Sequence, residues 1–129
     1  MTVEREVGPA GLSFSSSLRV QGPGTWIYVS GQLGTDDSGE IVPGGLEAES
    51  RAALGNVLRA LSAAGATVAD VVKINAYLTS LDDYGRYNEA RRAVFGSTLP
   101  ASTAVAVAGL ILANASIEID AVAFVPDSA

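Results

Sequence analysis

Between Val71 and Leu78 the chain alternates, with Val72, Ile74, Ala76 and Leu78 on one side and Val71, Lys73, Asn75 and Tyr77 on the other. Successive side chains of an extended chain point to opposite faces, so this run is a strand with one wholly apolar face and one mixed face. The apolar face has to be covered, and a cover lies upstream. Leu46, Ala53, Leu54, Val57, Leu58 and Leu61 recur at three- and four-residue spacing, the pattern of a helix with one buried stripe. Pro43-Gly44-Gly45 clears its start, Glu47 is placed to pair with Arg51 one turn on, and Gly65 is a natural stop.

The flanking segments complete a layer. Residues 15–20 and 26–33 read as strands, and the turn residues Gln21-Gly22-Pro23-Gly24 between them predict a hairpin. A second helix is predicted over residues 81–95, with Asp82 and Asp83 at its positive end, Arg91 and Arg92 complementing the dipole in its last turn, and Gly96 as its cap. Tyr84, Tyr87, Arg91 and Val94 share one side of it. Residues 102–110 and 117–125 read as the last two strands. The order ββαβαββ predicts an α+β fold in which both helices cover one face of a mixed sheet. The other face carries Lys73, Asn75, Tyr77, Glu118, Asp120, Val122 and Phe124. Such a mixture suits sheets packed on one another in an oligomer as well as it suits an ordinary wet face.

Missing residues restrict the chemistry. The 129 residues include neither Cys nor His, which excludes a disulfide framework, a thiolate nucleophile, a Cys-bearing zinc site and any Ser/His/Asp arrangement within one chain. Lys73 is the single lysine, so a Schiff base would have to form there; a charge partner for neighbouring carboxylates is the simpler role. A net charge of −6 without a basic cluster argues against nucleic acid as a partner. One domain over residues 1–129 can bury a sufficient core. No apolar run approaches about 18 residues, and residues 1–11 carry Glu4, Arg5 and Glu6 in place of an apolar leader, so neither membrane insertion nor export is expected and the cytoplasm is the default.

Several residues could still carry chemistry. Glu118 and Asp120, two apart on a strand, point to the same face, where they can divide acid and base work or serve as structural partners. Ser30-Gly31-Gln32 ends a strand, and Gly31 leaves backbone N–H groups open to a carboxylate or oxyanion. Asn56 reads as a structural amide bonding backbone across a junction, while Asn88 is open to either role. Tyr28, Tyr77, Tyr84 and Tyr87 offer hydroxyls for packing or for a cleft.

Taken in order, Val29-Ser30-Gly31-Gln32-Leu33, the turn at residues 37–40, Asn56-Val57, Ala63-Ala64-Gly65, Asp70-Val71-Val72-Lys73, Leu81-Asp82-Asp83-Tyr84, Asn88, Phe95, Pro100-Ala101 and the run at residues 117–123 resemble the Rid/YjgF family. These are the reactive-intermediate imine/enamine deaminases, also catalogued as L-PSP endoribonucleases. The resemblance implies a chorismate-mutase-like protomer and a homotrimer whose sheets pack into a central barrel, with small-molecule clefts between subunits. It implies no cofactor and no metal. The chemistry implied is hydrolysis of imines such as that of 2-aminoacrylate to 2-keto acids and ammonia, which requires neither His nor Cys.

Carried over residue by residue, the resemblance places Asp120 at the position that orients the hydrolytic water, where Glu is the common residue. Ser102 falls at the position of the Arg that clamps the substrate carboxylate, in Pro100-Ala101-Ser102-Thr103. Phe14 matches a cleft Tyr, and Ser30, Gly31, Asn88 and Ala104 complete the implied binding surface, with Ala106 beside them. A guanidinium binds a carboxylate with a charged two-pronged fork, whereas a serine offers one neutral donor, so a substrate other than simple 2-aminoacrylate is expected. Arg91 or Arg92 would supply an anion site only by reaching the cleft, and the helix dipole already accounts for both. Three functions follow: a hydrolase with Asp120 and Ser102 as catalytic residues, a trimer that binds a small ligand without turnover, and a ribonuclease, against which the charge and the absence of His both weigh.

Overall fold

The structure, a computed structural model, describes residues 2–7 and 13–128; the remainder of the N-terminal stretch 1–11, read above as lacking a leader, lies outside the described residues. The strands are β1 (Thr2–Val7), β2 (Ser15–Gln21), β3 (Gly24–Leu33), β4 (Val71–Leu78), β5 (Ala101–Ala106) and β6 (Ile117–Pro126). They form one sheet in the order β1-β2-β5-β4-β6-β3. Helix α1 spans Gly45–Ala63 and α2 spans Tyr84–Phe95, with a 3-10 turn at Val68–Asp70 leading into β4. The β4–β5 pair is parallel, while β4–β6, β3–β6 and β1–β2 are antiparallel, so the sheet is mixed as expected.

The apolar stripes meet where their spacing places them. Ala53, Leu54, Val57 and Leu61 of α1, Tyr87, Ala90 and Phe95 of α2, Ile74, Ala76 and Leu78 of β4, and Ile117, Ile119 and Ala121 of β6 form one buried cluster. Both helices therefore cover the same face of the sheet. Each large side chain buried there stabilises the fold by about 1.5–3 kcal/mol. Asn56 has the structural role expected of it: its Nδ2 donates to the Leu33 carbonyl at 2.9 Å and the Thr35 carbonyl at 3.1 Å, tying the end of β3 to α1.

Four expectations need correction. A strand precedes the expected first one: β1 carries Glu4, Arg5 and Glu6, so it shows no apolar face, yet the Arg5 Nη1 donates to the Leu99 carbonyl at 2.7 Å and Nη2 to the Ala69 carbonyl at 3.0 Å. The hairpin between residues 15–20 and 26–33 does not form. Instead β2 pairs with β1, and β3 pairs with β6 from Gly24↔Pro126 to Leu33↔Glu118. The turn itself exists, with Gly22 at φ 90°, but the strands it joins each pair with another partner. Turn propensity acts over a few residues, and the long pairing with β6, which also packs Ile27 and Val29 on the core, outweighs it. The strand expected to reach residue 110 stops at Ala106, because its partner β4 ends at Leu78, directly opposite. Helix α2 begins at Tyr84 and not at residue 81, after a turn in which the Asp82 N–H donates to Ser80 Oγ at 3.1 Å.

The face away from the helices keeps its mixed character. Tyr28 is 75% exposed, Trp26 48% and Val105 42%. Phe124 is buried, packed against Trp26 with ring centroids 4.9 Å apart, and is not free for a partner as its place on that face had suggested.

Candidate functional site

Two polar clusters stand out, one on each side of the sheet. The first is built on α2. Residues three and four apart on a helix share a side, so Tyr84, Tyr87, Asn88 and Arg91 face the interior beside the start of β5. Arg91 is only 2% exposed. Its Nη1 donates to Ser102 Oγ at 2.7 Å, and its Nη2 donates to Ser13 Oγ and to Asn88 Oδ1, each at 2.7 Å, with the Tyr84 hydroxyl at 3.4 Å. Ser13 Oγ donates in turn to Asn88 Oδ1 at 2.6 Å. The guanidinium carbon lies 5.2 Å from the Tyr87 ring centre and 5.9 Å from that of Phe14, within cation–π range. Arg91 thus does not serve the helix dipole at the surface as its position suggested. It reaches Ser102, the position at which the sequence lacks an arginine.

What surrounds Arg91 is neutral throughout. Among the described residues no Asp or Glu side chain forms a salt bridge with it. Among the described residues its buried Nε–H has no hydrogen-bond partner, while the Tyr87 hydroxyl interacts with both Arg91 and Ser102. Burial pushes the Tyr87 phenol above the ordinary tyrosine range, and the Arg91 charge partly opposes that shift.

The second cluster lies on the outer face of β4 and β6. Asn75 is opposite Asp120 in the antiparallel register, and its Nδ2 donates to Asp120 Oδ1 at 2.9 Å. The Tyr77 hydroxyl donates to Oδ2 at 2.9 Å. That hydrogen bond, then burial and the negative charges of Asp120 and Glu118, hold Tyr77 above the ordinary tyrosine range. Lys73 is not the charge partner expected for these carboxylates: it donates to Thr103 Oγ1 at 2.7 Å, and among the described residues it forms no salt bridge. Ser30 and Gly31 are exposed at a bulge in β3, where the register slips between Val29 and Gln32, and the Glu118 carboxylate occupies the space that a side chain on Gly31 would need.

The structure therefore brings Phe14, Asn88 and Ser102 together around Arg91, and holds Asp120, Ser30 and Gly31 elsewhere. Ala104 pairs with Ala76 on the helix side and packs on the core. Ser102 pairs with Ile74 and Asp120 with Asn75, which point to opposite faces of β4, so the two expected catalytic residues lie on opposite sides of the sheet. Among the described residues, β2 pairs with β5 only at Ser15↔Ala101. The sequence pattern does not point to Ser13 or Asn75 as cluster members, and it places Tyr77 only as a hydroxyl for packing or for a cleft. The signal that could have found Arg91 was its place on the Tyr84–Tyr87 side of the helix, where a cation needs a reason to be. Among the described residues no group of three or more metal-ligating side chains gathers, and no helix is long and apolar enough to cross a membrane.

A two-helix layer on a six-stranded mixed sheet, with polar clusters on both faces, matches the protomer of a widespread fold class. YyfB of Yersinia pestis, a Rid-family protein of unknown function, superposes with a TM-score of 0.84 at 28% identity, covering 97% of this chain and 100% of that one. Escherichia coli TdcF, solved with bound serine, gives a TM-score of 0.71 at 30% identity over 81% of this chain and 89% of its own. By sequence, the 2-iminobutanoate/2-iminopropanoate deaminase of Rattus norvegicus is 44% identical over 98 residues, 75% of this chain and 71% of the rat protein. A RutC family protein of Pyrococcus abyssi is 35% identical over 121 residues, 93% of this chain and 89% of its own. The family model described as Endoribonuclease L-PSP matches residues 8–125, and the chain belongs to this family, the Rid/YjgF proteins.

Proposed function

We propose that this protein is a cofactor-independent hydrolase of a small imine or enamine, working as a homotrimer with clefts between subunits. Water adds to the carbon of C=N, the C–N bond breaks, and ammonia leaves behind a carbonyl. The observation that carries this reading is the Asp120 carboxylate, pinned by Asn75 and Tyr77 through one hydrogen bond to each oxygen. Each oxygen keeps a lone pair, so the group can accept from a water and aim it at an electrophilic carbon that needs no further activation. Kinship with the imine deaminases of rat and other mammals supports the reaction class. Ser102, the Gly31 N–H and Asn88 hold the polar end of the substrate, while Phe14, Ser30 and Ala104 line the cleft. With Ser102 in place of an arginine fork, the preferred substrate differs from simple 2-aminoacrylate.

The trimer completes the site. Asp120 and Ser102 lie on opposite faces of one sheet, so a neighbouring copy has to bring its own Asp120 face toward Ser102. Trp26, Tyr28 and Val105, exposed on the Asp120 face, supply the apolar contact for such a neighbour. The test is ammonia release from 2-iminobutanoate and 2-aminoacrylate generated in situ by a pyridoxal-phosphate enzyme. Acceleration over buffer that Asp120→Asn abolishes is the expected result. Wild-type protein that matches the buffer control with both substrates contradicts the hydrolase, and binding without turnover would then stand in its place. A monomer by light scattering across micromolar concentrations contradicts the shared cleft.

A further inference from the structure

We infer that Lys73 of one subunit pairs with Glu118 of the partner subunit, and that this pair fixes how the outer faces of two sheets meet. The inference rests on the trimer proposed above and names the contact that sets its register. On the outer face of β4, Lys73, Asn75 and Tyr77 follow one another, and Val122, Asp120 and Glu118 stand opposite them on β6. Lys73 and Glu118 are therefore at opposite ends of one strip, four residues or about 13 Å apart along the strands. The Lys73 ammonium donates to Thr103 Oγ1 at 2.7 Å, which uses one of its three donors. Among the described residues neither Lys73 nor Glu118 forms a salt bridge.

Covering this face changes what Lys73 needs. Trp26, Tyr28 and Val105 are exposed on it, and a neighbour that buries them also takes water from Lys73, which is already half-buried opposite Val122. An ammonium cut off from water is strongly destabilising unless a carboxylate replaces the solvent. The four strands β3 to β6 contain one cation, Lys73, and two carboxylates, Asp120 and Glu118. A second copy of this face therefore offers two anions. Asp120 already holds Asn75 on one oxygen and Tyr77 on the other, and the cleft claims it, which leaves Glu118. In a closed ring of three, each subunit gives Lys73 to one neighbour and Glu118 to the other, so the three contacts are alike. With a net charge of −6 the copies repel at range, and one opposite-charge contact per interface selects the docked register from the alternatives.

Sedimentation velocity on the full chain at micromolar concentrations tests the pair by exchanging its charges. The wild type is expected to be a trimer. Lys73→Glu and Glu118→Lys each set like charges against one another at the contact, and each is expected to weaken assembly about tenfold or more. The double variant Lys73→Glu/Glu118→Lys restores the pair with its signs reversed and is expected to return to a trimer. Charges that serve only their own chain would give losses that add in the double variant, with no rescue. Circular dichroism and Tm establish that each single variant is folded. Should one fail to fold, Lys73→Met and Glu118→Gln decide, since each removes a charge without adding one, and assembly about tenfold weaker is expected. Charge-reversed or neutral variants that assemble as the wild type does, or a double variant no better than either single one, overturn the inference and leave the trimer standing. A monomeric wild type overturns both.

Discussion

Arg91 is enclosed between α2 and β5 by two serine hydroxyls, an asparagine amide and two aromatic rings, whereas Asp120 accepts from an asparagine amide and a phenol on the half-open face of the sheet. Each is a lone charge held by neutral groups, and their surroundings differ mainly in access to water. Asp120 is partly hydrated, so its hydrogen bonds orient it more than they stabilise it. Arg91 is cut off from water, so every acceptor around it offsets a desolvation cost and each loss is felt in full. Losses in the buried cluster are therefore expected to cost more stability than losses in the open one.

The largest expected effect follows from removing an acceptor on the buried side. Asn88→Ala takes the Oδ1 shared by Arg91 and Ser13, and is expected to lower the unfolding free energy by about 2–3 kcal/mol in urea titrations. The matching change on the open side, Asn75→Ala, is expected to cost about 1 kcal/mol or less, because water can replace the amide at Asp120. Equal losses at the two positions would break the contrast.

Two tyrosines sharpen it through titration. Tyr77 is held above the ordinary range chiefly by its bond to the Asp120 carboxylate, so Asp120→Asn should lower its pKa. Tyr87 is raised by burial against the opposing pull of Arg91, so Arg91→Met should raise its pKa further. Absorbance of the phenolates under alkali, compared with Tyr77→Phe and Tyr87→Phe controls, reads both shifts, and shifts of the same sign would contradict the account. Because the folded-state pKa of Tyr77 lies above its unfolded value, its contribution to stability is full below the ordinary tyrosine range and is lost as pH rises through the raised value. The smallest effect is expected at the surface. Arg59→Ala breaks a pair with Asp37 at 3.4 Å between two exposed side chains, and should change stability by no more than about 0.5 kcal/mol in the same urea titration.

The parts of this structure legible from the sequence are those where one face of an element is buried throughout. The alternation over β4 and the spacing along α1 reflect burial directly, and both elements lie where the pattern places them. β1 was invisible because its charges leave no apolar face, and its place is set by pairing with β2 and by the grip of Arg5 on two distant carbonyls. The expected hairpin failed because turn chemistry is local while the partner of β3 lies about a hundred residues downstream. The outward face of Asp120 was legible from its place on a strand, but its hydrogen bonds to Asn75 and Tyr77 needed the register of β4 against β6. Arg91 was the harder case. Its sequence position suits the helix dipole as well as it suits burial, and only the packing of α2 against Ser13 and Ser102 separates the two.

The central claim is that one working cleft takes Ser102 from one subunit and Asp120 from its neighbour. Subunit mixing tests it most directly. Ser102→Ala and Asp120→Asn proteins, each impaired alone, are unfolded together, reassembled in equal amounts, and assayed for ammonia release from 2-iminobutanoate. Random assembly of a cyclic trimer gives each cleft two independent contributors, so the mixture should recover about a quarter of wild-type activity. Activity no higher than the average of the two parent variants would place both residues in a cleft of one chain and contradict the account.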